Sequence, residues 1–188
     1  MNRVIFMLEG KSEKEFLDIL LPRFFPDLKF LCIQHEGKQD LEKSIPRKLR
    51  GWKDPEDCFV ILRDKDTDDC RTLKASLVRL CQDAGRPDAL VRIACHELEA
   101  WYLGDPDALA EAFKKPDLGK IRGRRKFRTP DAIQDPVNEV MYLCPAFQKV
   151  SGARAVAKHL SYTRNISSSF RVFIEGLARV AHLSLPEL

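Results

Sequence analysis

Two continuous apolar runs, each followed at once by acidic residues, constrain the fold of this chain more than any other feature. The first covers residues 4–8 and precedes Glu9 and Gly10; the second covers residues 58–62 and precedes the stretch 64–69. Such runs are typical of strands buried on both faces of a parallel sheet covered by helices. Carboxylates that follow such strands meet at one edge of the sheet, where open α/β folds bind ligands.

Further strands at residues 28–33 and 90–95 alternate with amphipathic helical patterns. This alternation predicts an α/β fold with a mostly parallel sheet flanked by helices. A capping box, Ser12 with Glu15, predicts the start of the first helix, and Pro22 or Pro26 its end. A second, short helix is expected to be interrupted near Pro46.

The pattern changes after residue 104. Helices are predicted at residues 107–113, 136–143, 152–160 and 168–181, with a loop rich in Pro, Gly and basic residues between the first two. We therefore predict an α/β core over residues 1–110. Residues 111–188 are expected to form a basic loop and a helical C-terminal cap packed on that core.

The acidic residues suggest oxygen ligands for a hard divalent cation, Mg²⁺ or Mn²⁺. In an extended backbone Asp64 and Asp66 point to one side, and Asp68 continues the alternation if the chain stays extended. Without a cation, such close negative charges would repel one another. The alternative is a solvated acidic loop in which Asp68 or Asp69 caps the next helix.

A third acidic group follows the fourth strand at Glu97 and Glu99. If the chain turns helical there, Leu98, Trp101 and Tyr102 face the core, and at least one glutamate reaches the same sheet edge. The alternative is an ordinary helix start, where glutamate suits the helix dipole. The candidate metal ligands are thus Glu9, Asp64, Asp66, Asp68, Glu97 and Glu99.

Basic charge is concentrated elsewhere. Residues 1–110 contain 18 Lys and Arg against 21 Asp and Glu, whereas residues 111–188 contain 14 against 7. Six of the ten residues at 119–128 are basic, a pattern that binds phosphates, and Phe127 could stack on a base. The alternative is a solvated surface loop. The residues assigned to nucleic-acid binding are Lys11, Lys38, Arg122, Arg124, Arg125, Lys126 and Arg128.

Several classes lose their usual support. The sequence contains no Walker A, GxGxxG or GxSxG motif, so motor, dinucleotide-binding and α/β-hydrolase functions are disfavoured. Six cysteines without a CxxC pair are expected to be reduced and mostly buried. No signal peptide or membrane span is predicted, so we expect a cytoplasmic protein.

The motifs together resemble a known family. Glu9-Gly10-x-Ser12-Glu13, the later Gly37-Lys38, and Asp64-x-Asp66 resemble the Toprim domain of topoisomerases, primases and OLD-type nucleases. The chain is more similar to the bacterial DUF4276 family, which is Toprim-like and carries a Glu-x-x-Ala-Trp element, here residues 97–101. Residues 168–173 also resemble that family.

The resemblance implies a Toprim-like sheet with Mg²⁺ held by Asp64 and Asp66, and with Glu9 as general acid/base or second ligand. It also implies a place in anti-phage defence and a partner ATPase of the ABC or SMC type. We therefore predict an enzyme that cleaves phosphodiesters of DNA or RNA, with Glu9, Asp64 and Asp66 as catalytic residues.

Two other functions stay open. One is a non-catalytic subunit that regulates or docks on such an ATPase. The other is a phosphotransferase or phosphatase of another α/β class, because Asp-x-Asp also serves there; Glu9 fits it poorly, since those enzymes place an aspartate nucleophile after the first strand.

Overall fold

Four parallel strands form the central sheet, and helices cover both of its faces. The structure, a computed structural model, describes residues 3–187. The strands are β1 (Val4–Leu8), β2 (Phe30–Gln34), β3 (Cys58–Asp64) and β4 (Leu90–Ala94), arranged in the order β2, β1, β3, β4. The predicted parallel α/β fold flanked by helices is confirmed.

Eight α-helices are found in the described part of the chain. They are α1 (Lys11–Phe24), α2 (Lys38–Gly51), α3 (Cys70–Asp83), α4 (Glu99–Leu103), α5 (Pro106–Phe113), α6 (Pro136–Leu143), α7 (Lys149–Ala157) and α8 (Ser168–Ala181). The basic loop between α5 and α6 is folded into three 3₁₀ helices, Pro116–Gly123, Arg125–Arg128 and Pro130–Ala132.

Each sheet face has its own hydrophobic core, as the alternation of side chains along a strand requires. In β1, Val4, Phe6 and Leu8 pack in the larger core, which contains residues of α1, α4, α5, α7 and α8. Ile5 and Met7 pack in the smaller core, beneath α2 and α3. The predicted boundary near residue 110 is not tested by these contacts and stays a prediction.

The strand order creates a crevice at the carboxyl ends of β1 and β3. The helix that follows β1 packs in the larger core and the helix that follows β3 packs in the smaller one. The chain therefore leaves these two adjacent strands towards opposite faces of the sheet. Open α/β sheets bind ligands at such a switch point.

Aromatic packing fixes α4 next to this crevice. The ring of Trp101 lies 5.3 Å from Phe170, 5.1 Å from Phe173 and 5.9 Å from Phe16, centroid to centroid. Its indole nitrogen donates a hydrogen bond of 2.8 Å to Ser169 Oγ. The C-terminal cap thus holds the element that carries Glu99.

Two predictions about helix boundaries are wrong. The residue that precedes the first turn of α1 is Gly10, not Ser12, and Pro46 lies inside an uninterrupted α2. Of the two prolines expected to end α1, Pro22 lies inside the helix, whereas Pro26 directly follows the cap residue Phe25. A proline within a helix costs about 3 kcal/mol. Here the cost is offset by the buried apolar faces of both helices, because hydrophobic burial outweighs a single lost hydrogen bond.

No helix within residues 3–187 is long and apolar enough to cross a bilayer.

Candidate active site at the carboxyl ends of β1 and β3

Glu9 and Asp64 lie at the same edge of the sheet. Glu9 directly follows Leu8, whose register partner in β3 is Leu62. Asp64 is the last residue of β3 and pairs in register with Ala94 of β4. The two carboxylates therefore flank the crevice between β1 and β3.

Asp64, at the end of β3, is a buried acid of the crevice. The residue is only 7% exposed, and its Oδ1 has no hydrogen-bond partner within residues 3–187. Burial raises the pKa of Asp64 well above its usual range, and the nearby charges of Glu13, Glu99 and Glu9 raise it further. A buried carboxylate oxygen without a partner is costly, so this atom is poised for a ligand.

Glu9 has a similar unpartnered atom. Its Oε2 is buried without a hydrogen-bond partner in the described part of the chain. The nearest cation, Arg63, places Nη1 4.0 Å away from this oxygen. Burial raises the pKa of Glu9, while Arg63 opposes that shift.

Glu99 and Glu13 complete the acidic group. Both are almost fully buried, with 1% and 5% of their surface exposed. Burial raises the pKa of Glu99 to about 7. Sequence reasoning placed Glu99 among the candidate ligands but gave Glu13 no role, although Glu13 belongs to the Glu9-Gly10-x-Ser12-Glu13 motif that pointed to the family.

Tyr102 is a second residue that sequence reasoning did not assign to the site. Its ring packs in the larger core, as predicted, but its buried hydroxyl has no hydrogen-bond partner within residues 3–187. Burial raises the pKa of Tyr102, and the charges of Glu99, Glu13 and Asp64 raise it further. The hydroxyl is therefore a potential donor towards the acidic group.

Glu97 and Glu99 have different surroundings. Glu97 Oε1 lies 3.1 Å from Lys149 Nζ, and its Oε2 accepts a hydrogen bond of 3.4 Å from the Val137 amide. Burial lowers the pKa of Lys149, but Glu99 and Glu97 together raise it above its ordinary value. Glu97 is thus held by α6 and α7, whereas Glu99 faces the buried acids.

Asp66 does not continue the alternation expected of an extended chain. Its φ of 50° is in the left-handed region, and its amide donates to the His96 carbonyl. The carboxylate therefore turns towards Lys38 Nζ, 3.1 Å away, and Arg63 Nη1, 3.5 Å away. The expectation that Asp64 and Asp66 share one side of an extended segment is wrong, because the chain turns at Asp66. Its role as a ligand stays a prediction.

Arg63 also holds Asp68. Its Nη2 lies 3.2 Å from Asp68 Oδ2, and its Nε lies 3.4 Å from Glu42 Oε1. The cap of α3 is Asp69, which accepts from the Thr72 amide at 2.9 Å. Sequence reasoning expected a metal to offset these negative charges. Arg63, an isolated cation in an apolar strand, was missed because nothing local marks it.

The oxygen donors suit a hard cation in kind. Four buried or half-buried carboxylates, Glu9, Glu13, Asp64 and Glu99, surround the crevice, and two of their oxygens lack partners. However, no three His, Cys, Asp or Glu side chains within residues 3–187 already form a group that could hold a metal ion. Side-chain adjustment is thus required before three donors can share one ion. With that adjustment, these carboxylates fit Mg²⁺ or Mn²⁺.

The basic segment lies beside the acidic group. It leads into α6, whose Val137 amide contacts Glu97. Arg122 pairs with Asp107 at 3.0 Å, and Lys126 pairs with Glu139. Within this segment, Arg124, Arg125 and Arg128 are exposed and have no ion-pair partner among residues 3–187. Their guanidinium groups are therefore free to contact a phosphate backbone.

Three other residues that were predicted to contact nucleic acid are not equally accessible. Lys11, the first residue of α1, is exposed, whereas Lys38 is engaged by Asp66. The idea that Phe127 stacks on a base is wrong for this structure, because the ring is only 2% exposed and packs in the larger core.

A model of the DUF4276 family, described as a domain of unknown function, matches residues 8–178. The fold is similar to the C-terminal region of the Burkholderia pseudomallei OLD protein, with a TM-score of 0.58 and 16% identity, over 96% of this chain and 99% of that one. The C-terminal region of the Xanthomonas campestris pv. campestris OLD protein gives a TM-score of 0.52 and 17% identity, over 97% of both chains. No curated protein matches the sequence.

Proposed function

We propose that this chain, which belongs to the DUF4276 family, is a Mg²⁺- or Mn²⁺-dependent nuclease that cleaves phosphodiesters of DNA or RNA. The observation that carries this proposal is the pair of unpartnered buried oxygens, Glu9 Oε2 and Asp64 Oδ1, at the switch point of the sheet. An edge of this kind is where α/β folds place their chemistry. The family resemblance and the OLD-like fold support the same reading.

Asp64, Glu9 and Glu99 are the residues that would hold the cation, with Glu13 beside them. When bound, the cation would stabilise negative charge on the scissile phosphate. Asp66, Asp68 and Glu97, the other predicted ligands, are each paired in this structure with a basic side chain.

Proton transfer falls to the carboxylates of the crevice. Glu9 is the proposed general acid/base, because it is the least buried of the group that flanks Asp64 and has a raised pKa. Glu99, with a pKa of about 7, can hold or release a proton near neutral pH. The buried hydroxyl of Tyr102, which has no partner among the described residues, is a potential donor to the same acids, and its ring helps to exclude water from the buried end of the crevice.

Arg124, Arg125 and Arg128 are proposed to bind the nucleic-acid backbone together with Lys11, which is exposed at the start of α1. Guanidinium groups bind phosphates through paired hydrogen bonds. On the resemblance to DUF4276 proteins, we place this activity in anti-phage defence, alongside an ATPase of the ABC or SMC type.

The proposal is tested by incubating the full chain with supercoiled plasmid, single-stranded DNA and tRNA, each with Mg²⁺, Mn²⁺ or EDTA. Asp64→Asn is expected to abolish cleavage. Asp27→Asn is the matched control, because Asp27 is exposed and lies at the opposite end of the sheet, in the turn before β2. Cleavage that persists in EDTA or in Asp64→Asn would contradict the proposal.

The second candidate is a non-catalytic subunit that docks on the ATPase. It is favoured by one observation, the lack of a ready-made group of three ligands in the described residues. Stable complex formation with the ATPase, together with no cleavage by the complex under any of the cation conditions, would support this function instead.

A further inference from the structure

Arg63 is a buried cation surrounded by carboxylates, on the side of the crevice away from the unpartnered oxygen of Asp64. Its side chain is only 2% exposed. Three acids from two parts of the chain contact its guanidinium within 3.5 Å: Glu42 from α2, and Asp66 and Asp68 from the loop after β3. A fourth, Glu9, lies 4.0 Å away.

The guanidinium uses its donors in three directions. Nε points to Glu42, Nη2 to Asp68, and Nη1 to the backbone carbonyl of Asp64 with Asp66 beside it. This fork geometry fixes the acidic loop in one position. Lys38 adds a second positive charge on the outer side of Asp66.

The carboxylates of the crevice therefore form two sets that differ in charge balance. Asp66, Asp68 and Glu42 are each paired with Arg63, and Lys38 adds a second cation beside Asp66, so two positive charges offset most of three negative ones. Asp64, Glu13 and Glu99 are buried, and the positive charge of Lys149 opposes the rise that burial causes in the pKa of Asp64 and Glu99. Glu9 lies between the sets.

In two-metal sites the ions lie about 3.5 to 4 Å apart and share a bridging carboxylate. A second ion on Asp66 and Asp68 would have to lie against the guanidinium of Arg63. Two like charges at such a distance repel strongly where water is excluded.

We infer that this site takes one divalent cation, on the Asp64 side, and that Arg63 is a positioning residue that supplies the positive charge a second ion would bring. This inference rests on the proposed function, since it concerns the cation required there. It assigns Asp66 and Asp68 to Arg63 rather than to the metal.

The test counts Mn²⁺ ions bound to the full chain, from the electron paramagnetic resonance signal of free Mn²⁺, with calorimetry for affinity. The wild-type chain is expected to bind one ion. Asp66→Asn with Asp68→Asn should keep that ion with an affinity within about threefold, since both carboxylates are already paired with basic side chains on the Arg63 side of the crevice. Asp64→Asn should weaken binding by about tenfold or more.

Arg63→Met, which removes the charge, is expected to admit a second, weaker ion, whereas Arg63→Lys should keep the count at one. Circular dichroism checks that each variant is folded. If Arg63→Met does not fold, the inference is tested by comparing the Mn²⁺ affinity of the Asp66/Asp68 double variant with that of Asp64→Asn.

Two Mn²⁺ ions bound to the wild-type chain would overturn this inference and leave the nuclease proposal standing. An equal loss of Mn²⁺ affinity in Asp64→Asn and in the Asp66/Asp68 double variant would do the same. A folded Arg63→Met variant that still binds one ion would also overturn it. No Mn²⁺ binding at all would overturn both this inference and the metal-dependent function.

Discussion

Lys149 Nζ lies 3.1 Å from Glu97 Oε1, and this ion pair joins the first turn of α7 to the segment that follows β4. The same ammonium is the positive charge that opposes the raised pKa values of Asp64 and Glu99. One side chain therefore orients Glu97 and moderates the repulsion among the buried acids.

Replacing Lys149 with Met should lower nuclease activity at pH 7 by about tenfold or more. Without the ammonium, Glu97 loses its ion-pair partner and the pKa values of Asp64 and Glu99 rise, so fewer molecules carry the ionised carboxylates that the reaction needs. The pH profile of kcat/KM should shift to higher pH, since the acids then ionise later. Lys149→Arg, which keeps the charge, is the control and should retain the wild-type profile. Identical profiles for all three proteins would contradict this role of Lys149.

The raised pKa of Glu99 predicts how stability depends on pH. Its folded pKa of about 7 exceeds the reference value of 4.5, so the native state binds this proton more tightly than the unfolded chain does. The associated stability is fully present below about pH 4.5 and is lost as pH rises through about 7, a change of about 3 kcal/mol.

Glu99→Gln mimics the protonated form, so the variant should be more stable than the wild type at pH 8 and similar to it at pH 4.5. Urea unfolding of both proteins at the two pH values measures this difference. Glu56→Gln, at an exposed position, should show no such pH-dependent gain. Equal stability of Glu99→Gln and the wild type at pH 8 would count against the buried acidic group.

Addition of Mg²⁺ or Mn²⁺ should raise the melting temperature of the wild-type chain at pH 8. A bound cation stabilises the native state by mass action and relieves the repulsion among Asp64, Glu13 and Glu99. An increase of about 4 °C corresponds to roughly 1 kcal/mol for a chain of this size. NaCl at equal ionic strength controls for screening, and Asp64→Asn should show little of the increase. A rise of the same size in NaCl alone would speak against a specific site.

The sequence was informative where local pattern decides the outcome. The apolar runs before Glu9 and Asp64 indicated buried parallel strands, and strand order then brought these residues to one edge. The exact range 168–181 was predicted for α8 because its apolar positions repeat at helical spacing. Local patterns could not show that Arg63 contacts Glu42, since the pair joins two elements 21 residues apart. Local alternation also predicted an extended backbone through Asp66, whereas the chain turns at that residue.

The burial of Glu13 was equally hidden from the sequence. As an acid near the start of α1, it suits the helix dipole and would ordinarily be solvated. Its burial follows from the packing of α1 against elements distant in the sequence, since α7 packs against α1 and Phe16 of α1 packs on the rings of Trp101 and Tyr102 in α4. Such long-range packing, rather than any local preference, decides which of the 28 acidic residues in the sequence belong to the crevice.

The three exposed arginines of the 3₁₀ segment give a prediction about substrate binding. Replacing Arg124, Arg125 and Arg128 together with Ala should weaken binding to DNA or RNA, because each loses a phosphate contact and the counterion release that accompanies it. The slope of log Kd against log salt should fall by about two to three for three lost contacts. Fluorescence anisotropy with a labelled oligonucleotide, in EDTA to prevent cleavage, measures both quantities.

A matched control for this triple variant is provided by the C-terminal end of α2, on the other face of the sheet and at the edge opposite the crevice. Arg47, Arg50 and Lys53 lie there, so replacing them with Ala removes the same charge from a distant surface. If general electrostatic attraction dominates, the two triple variants should weaken binding alike. If the 3₁₀ segment contacts the backbone directly, only its own variant should lower the salt slope, because counterions are released only where phosphates are neutralised. Equal slopes in the two variants would therefore rule out a specific role for Arg124, Arg125 and Arg128.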